Sequence, residues 1–363
     1  MNALSPLRAL YFPYFLYSLS LSFLCALVIC LVAVAPASAT EEEILGGHEG
    51  WLDRMGGGIR ELGMGNTGTA SEEAMPAAFW NPATLPFNRV TTVGIGADIR
   101  SLSRNGGFAG VQGRVASNMG MGIGLLNRGD FNVPVYDRDE KPLKDAESGT
   151  DYSIARPQSV GSYLGLGVKS SRSNSFGAAV QWYSYSTGLD GTGNVNVIGI
   201  FNLGWFKRWS DDLKTGVVVR NLGINKDLSA DFDQTTIAGE DAQGFERTSS
   251  DFMPKTLVAA VFYTTHAWGK TIDLAGEVID YQLKSELYAL DANFHAQALR
   301  LGADWHVTDR IDARAGMDQG NLTAGFGYAL PWGKRRLLFD YAFVAERGLL
   351  TLNPFAVGFR FSL

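Results

Sequence analysis

Apolar positions alternate with small or polar ones along most of the chain after residue 90. Met119, Met121, Ile123 and Leu125 alternate with Gly120, Gly122 and Gly124. Leu164, Leu166 and Val168 alternate with Gly165, Gly167 and Lys169. Leu299, Leu301 and Trp305 lie opposite Arg300, Gly302, Asp304 and His306, and Phe339, Tyr341 and Phe343 lie opposite Asp340 and Ala342. A period of two sends one set to each face of a strand. The pattern predicts about fourteen strands, near 91–100, 107–116, 118–127, 160–170, 175–185, 195–209, 214–221, 255–264, 270–280, 294–306, 310–318, 321–330, 336–345 and 355–363. In the last, Phe355, Val357, Phe359, Phe361 and Leu363 share one face, and Ala356, Gly358, Arg360 and Ser362 the other. A final strand of this kind closes an outer-membrane barrel, with Phe359, Phe361 and Leu363 toward lipid, although alone it also fits a soluble sandwich.

The connections sort by parity. Turns after even-numbered strands are short, at 117–118, 171–174, 307–310 and 331–334, whereas connections after odd-numbered strands include the long polar stretches 128–157 and 222–253. Short turns on one rim and long loops on the other, with an even strand count, are the signature of a transmembrane barrel. The fold class expected is therefore all-β, a transmembrane antiparallel β-barrel of about fourteen strands with a short N-terminal helical plug.

The N-terminal region names a compartment. Arg8 is the only charge in the first forty residues, an apolar run extends from about Ala9 to Val34, and Ala37, Ser38 and Ala39 form a small-residue cleavage site. That is a secretory signal peptide, with a retained anchor as the alternative. Cys25 and Cys30 leave with it, and neither is a lipoprotein cysteine, because Leu24 and Ile29 precede them. The expected organisation is 1–39 signal peptide, 40–89 plug segment and 90–363 barrel, placed in a bacterial outer membrane.

Composition narrows the function. The chain has 43 Gly, 12% aromatic residues and only 19% charged residues, which suits short strands and tight turns. A net charge of −6 argues against a nucleic-acid surface. The loss of both cysteines removes thiol chemistry and zinc–thiolate sites. His48, His266, His295 and His306 are scattered without a metal-ligand spacing. Gly165 to Ser170 lacks the Gly-Lys-Ser/Thr order of a phosphate loop, and Asp227, Asp231 and Asp233 lack calcium-loop spacing. No catalytic residue, metal or cofactor is expected. Trp51, Trp205, Trp209, Trp268 and Trp332 fall near the proposed turns, as an interfacial girdle does.

The segment before the first strand is the most distinctive. Gly58 to Gly65 leads through Thr67–Ala70 to Ser71–Trp80 and Asn81–Leu85. Ser71 is a fitting N-cap with Glu72 and Glu73 in a first turn, and Asn81-Pro82 stops the helix. The segment is too polar for lipid, yet it holds Met55, Ile59, Leu62, Met64, Met75, Phe79 and Trp80. It is expected inside the barrel, because a fourteen-strand lumen is too wide for wall side chains to fill. Assigning apolar faces outward leaves Asp273, Glu277, Arg300, Asp304, Asp312, Arg314, Asp318, Asp340 and Arg360 inside. These charges are expected to pair with one another and with Arg60 and Glu61, Asp340 with Arg360 in particular, as a water-solvated pair. Tyr163, Tyr183 and Tyr185 are candidate apolar lumen positions.

Arg60, Gly63, Met64, Gly65, Thr69 and Ala70, followed by Trp80, Asn81, Pro82, Ala83 and Leu85, resemble the plug motif of the PorV/PorQ branch of the FadL-like outer-membrane proteins. Asp340–Phe343 and Phe359–Leu363 resemble that family's ending, with Leu363 where an aromatic is usual. The resemblance implies a fourteen-stranded barrel with an N-terminal plug. It implies either passage of a hydrophobic small molecule, as FadL-like relatives take up fatty acids and aromatic hydrocarbons, or a protein-secretion role of the type IX kind. Expected partners are outer-membrane lipid and the barrel-assembly machinery. A hydrophobic ligand or secretion-system proteins join them according to function.

Overall fold

The computed structural model describes residues 56–99, 104–130, 133–134, 154–155, 158–186, 194–223, 255–267, 269–285, 292–333, 335–345 and 355–362. Residues 1–55, with the expected signal peptide and Trp51, most of the two long loops, Trp268 and Leu363 lie outside the described residues.

Fourteen strands close into one antiparallel barrel. They are β1 (Thr92–Ile99), β2 (Arg104–Ala116), β3 (Met119–Asp130), β4 (Gln158–Lys169), β5 (Asn174–Ser186), β6 (Asn194–Arg208), β7 (Leu213–Leu222), β8 (Lys255–Ala267), β9 (Lys270–Ser285), β10 (Ala292–His306), β11 (Ile311–Asp318), β12 (Asn321–Trp332), β13 (Arg335–Ala345) and β14 (Phe355–Ser362). Each expected strand is present, with ends shifted by a few residues. β14 pairs with both β13 and β1, Phe359 opposite Phe339 on one side and Ile95 on the other, so no ladder edge is left open. A two-residue ladder, Val133–Pro134 with Ile154–Ala155, stands apart from the barrel.

The two faces divide as period two demands. Ile95, Ile123, Phe176, Trp182, Leu203, Leu322 and Phe359 are exposed on the outer face. Trp209 and Trp332 are exposed at the short-turn rim, while Trp205 is partly buried and donates its indole N–H to Asn174 Oδ1 at 2.7 Å. The buried core is inside the barrel, between the wall and residues 56–88.

That inner segment differs from the expected single helix. Its first element is α1 (Ile59–Gly63), followed by α2 (Ala77–Trp80) and a 3-10 helix (Pro82–Phe87). Ser71 caps no helix. Its Oγ accepts the Glu73 N–H at 3.3 Å, a local turn that ends there. Pro76 is the reason: it disfavours helical backbone at Met75, so helix can begin only at Ala77. Asn81 both stops α2 and caps the 3-10 helix, its Oδ1 accepting the Ala83 N–H at 3.0 Å.

Candidate functional site

The lumen and its plug form the candidate site. Backbone clearance is its first requirement. A methyl group placed on Gly177 would stand 2.4 Å from Ala83 N, one on Gly302 2.2 Å from Met64 O, and one on Gly316 2.3 Å from Gly65 N. Gly120, Gly122 and Gly124 face the plug likewise, at Leu85 and Pro76. Inward glycines thus let plug backbone lie directly on wall backbone. This explains the Gly-rich strands: their apolar face meets the outside and their bare face meets the plug.

The plug-motif residues hold this geometry. Trp80 is fully buried, donates its indole N–H to Gly57 O at 2.8 Å, and packs edge-on against Phe79 at 5.1 Å. Asn81 Nδ2 donates to Thr69 O at 3.0 Å within the plug and to Trp205 O at 3.1 Å in β6. Pro82 opens the 3-10 helix, where its missing N–H costs nothing. At the other end, Thr323 Oγ1 accepts the Gly65 N–H at 2.9 Å and donates to Gly63 O at 3.2 Å. A positive φ of 66° at Gly65 makes that turn. Met64 is buried among Ala70, Ala260 and Phe262. These motif residues therefore hold the plug together and fasten it to the wall.

The lumen charges form two groups. Along β9 and β10, Glu277 Oε1 accepts the Gly68 and Thr69 N–H groups at 2.7 and 2.6 Å, and Arg300 pairs with Asp318 at 2.7 Å. Asp318 also accepts from Asn66 of the plug at 3.0 Å. Nearer the short-turn rim runs a longer chain. Arg60 Nε of the plug meets Asp304 Oδ2 at 3.2 Å, and Arg314 meets the same oxygen at 3.1 Å. Arg314 continues to Asp340 at 2.7 Å and to Asp312 at 3.3 Å. Arg360 closes on Asp340 at 2.7 Å.

The Asp340–Arg360 pair is therefore present, but not solvated as expected. Asp340 is 1% and Arg360 6% exposed, because the plug covers them. Glu61 makes no hydrogen bond to the wall. Its carboxylate is buried beside Arg60 at 3.5 Å, and among the described residues neither of its oxygens has a hydrogen-bond partner. Burial pushes this carboxyl up to about 7, against the pull of Arg60 and Arg360.

Tyr163 and Tyr183 do face inward. Tyr163 packs edge-on against Phe79 at 5.5 Å and accepts from Gln181 at 3.0 Å; Tyr183 donates to Ser159 Oγ at 2.9 Å. The Tyr185 side chain lies outside the described residues. Several plug contacts had gone unmarked. Arg128 pairs with Asp98 and donates to Gly56 O at 2.8 Å. Arg220 donates to Trp80 O at 3.0 Å with its guanidinium over Phe79. Gln112 accepts from Ala77 and donates to Ala74 O. Carrying the inward parity of Gly124, Gly96 and Gly216 along the same strands finds Arg128, Asp98 and Arg220.

Toward the long-loop rim the lumen wall turns apolar. Val218, Val258, Ile279 and Ala298 make one continuous row across β7–β10, with Tyr281 and Ala296 beyond it.

No family model matches this chain, and no curated protein matches it in sequence. Solved structures do. The toluene transporter TbuX of Ralstonia pickettii superposes with a TM-score of 0.53 at 14% identity, over 85% of this chain and 98% of that one. The CymD monoaromatic hydrocarbon channel gives 0.52 at 14%, over 85% and 97%. The toluene transporter TodX of Pseudomonas putida gives 0.50 at 14%, over 86% and 97%. The chain thus shares the barrel fold of these hydrocarbon transporters. The PorV/PorQ branch rests on the sequence motifs alone.

Proposed function

We propose that the protein is a non-enzymatic channel of the bacterial outer membrane that passes a small hydrophobic molecule. The short-turn rim then faces the periplasm and the long loops face outward. The observation that carries this reading is the continuous apolar row Val218, Val258, Ile279 and Ala298 on the inner face of the wall toward the long-loop rim. A water channel has no use for such a row, whereas an apolar solute gains from it. The shared fold with toluene transporters supports the same direction.

The test is uptake of toluene and of a long-chain fatty acid across an intact lipopolysaccharide outer membrane, in a host lacking channels of its own for either. Expression should raise uptake of at least one above the empty vector, and Val258→Asp should lower it several-fold in barrels that still shift on unboiled gels. Uptake equal to the vector for both probes rejects the reading. A protein-secretion or cargo-binding role has its own support in the PorV/PorQ-like motif and in the tight seating of the plug around Asn81. Pull-down from native outer membrane that yields a stoichiometric protein partner and no bound lipid favours that second reading.

A further inference from the structure

We propose that Asp304, His306 and Asp312 form a binding site for a divalent transition-metal ion, with Zn2+ as the best fit, at the short-turn end of the lumen. One carboxylate oxygen from each aspartate and a ring nitrogen of His306 lie within 4.8 Å of one another. The β10–β11 hairpin brings them together: Asp304 and His306 are two apart on one inward face, and His306 pairs directly with Asp312 in register. Such cross-strand spacing escapes any linear metal motif, which is why the scattered histidines gave no sign of it.

The oxygens are already sorted. Both guanidinium contacts to Asp304 use Oδ2, from Arg60 at 3.2 Å and Arg314 at 3.1 Å. Asp304 is 0% exposed, yet among the described residues its Oδ1 has no hydrogen-bond partner. A buried carboxylate oxygen left bare is costly unless something cationic can meet it. Asp312 repeats the division: Arg314 takes Oδ2 at 3.3 Å, and Oδ1 lies 2.7 Å from His306 Nδ1. Two Oδ1 atoms and Nδ1 are the three ligands.

His306 is held as a ligand should be. Its Nε2 lies 3.1 Å from Asp273 Oδ2, whose partner oxygen accepts from Thr264 Oγ1 at 2.7 Å. A carboxylate on the far nitrogen fixes ring and tautomer and leaves Nδ1 for the ion. The metal takes the place of the Nδ1 proton that otherwise bridges to Asp312. A mixed imidazole and carboxylate set suits zinc, and the partly exposed His306 leaves a fourth position to water. Charge permits a dication: among the described residues, Glu73, Asp273, Asp304, Asp312 and Asp340 outnumber the guanidiniums of Arg60, Arg314 and Arg360 that pair with them in this network. Because Asp304 also holds Arg60, an ion here would stiffen the anchor of the plug. The site stands whether or not the channel carries hydrocarbons.

Zn2+ titration of untagged, chelator-stripped full-length protein in detergent, followed by calorimetry, tests this, with Co2+ absorption as a spectroscopic check on ligand geometry. About one equivalent should bind. His306→Ala and Asp312→Asn should abolish it, His266→Ala should leave it unchanged, and Asp273→Asn should weaken it roughly 10- to 100-fold as an outer partner does. All variants must keep the gel shift of a closed barrel; Asp312→Asn, which keeps side-chain size, serves if His306→Ala does not. Absence of saturable binding, or binding that survives both ligand substitutions (an adventitious ion only), overturns the proposal.

Discussion

The wall of β10–β14 holds α1 mainly through charge, whereas the wall of β3–β6 holds α2 and the 3-10 helix mainly through missing side chains. On the first side, Arg60 is tied to Asp304, and behind it Arg314, Asp340 and Arg360 form a buried chain. On the second, Gly120, Gly167 and Gly177 admit plug backbone, and Phe79, Trp80 and Tyr163 fill what remains. Charge pairing fixes direction but is fragile, because removing one partner strands the other in a dry site. Close backbone packing tolerates no added volume but does not depend on any single partner. The two halves of one plug should therefore fail differently.

The largest effect is expected on the charged side. Asp340→Ala removes the acceptor of both Arg360 and Arg314, and a buried pair broken from one side costs roughly 3–5 kcal/mol. The gel-shift transition of unboiled protein should fall by a wide margin in temperature. Asp340→Asn, which keeps an acceptor, should recover part of it. A transition unchanged in Asp340→Ala would mean that water enters and the chain is solvated after all.

The glycine side should respond to addition rather than removal. Gly177→Ala places a methyl 2.4 Å from Ala83 N, an overpacking that costs about 1–3 kcal/mol. The 3-10 helix must then lift from β5, so protease sensitivity and single-channel conductance should rise together. If neither moves, the plug does not rest on the wall at that point.

The smallest effect is expected within the plug itself. Trp80→Phe keeps the aromatic packing but loses the indole N–H to Gly57 O, worth about 1 kcal/mol. Thermal denaturation should record a modest drop with conductance unchanged. A loss as large as that of Asp340→Ala would place the main anchor at Trp80 and reverse the comparison.

Alternation alone was enough to place fourteen strands and the facing of the charged residues on the later ones, since period two converts one correct residue into a whole face. It put Asp304, Arg314, Asp340 and Arg360 inside, and the charge of each demanded a partner there. The motif around Arg60 and Trp80 marked the segment that enters the lumen. Its internal form was less legible: Pro76 outweighed the capping signal of Ser71, and α1 is too short to leave a helical period.

Partner choice belonged to the tertiary structure. Which carboxylate meets Arg60, that Asp340 and Arg360 are dry and that Glu61 is left without a wall partner depend on strand register and on where the plug comes to rest. Neither is written in local sequence, because residues far apart in the chain meet only when the barrel closes. The grouping of His306 with Asp273 and Asp312 is of the same kind. Local alternation determines which way a residue faces; closure of the sheet decides what it faces.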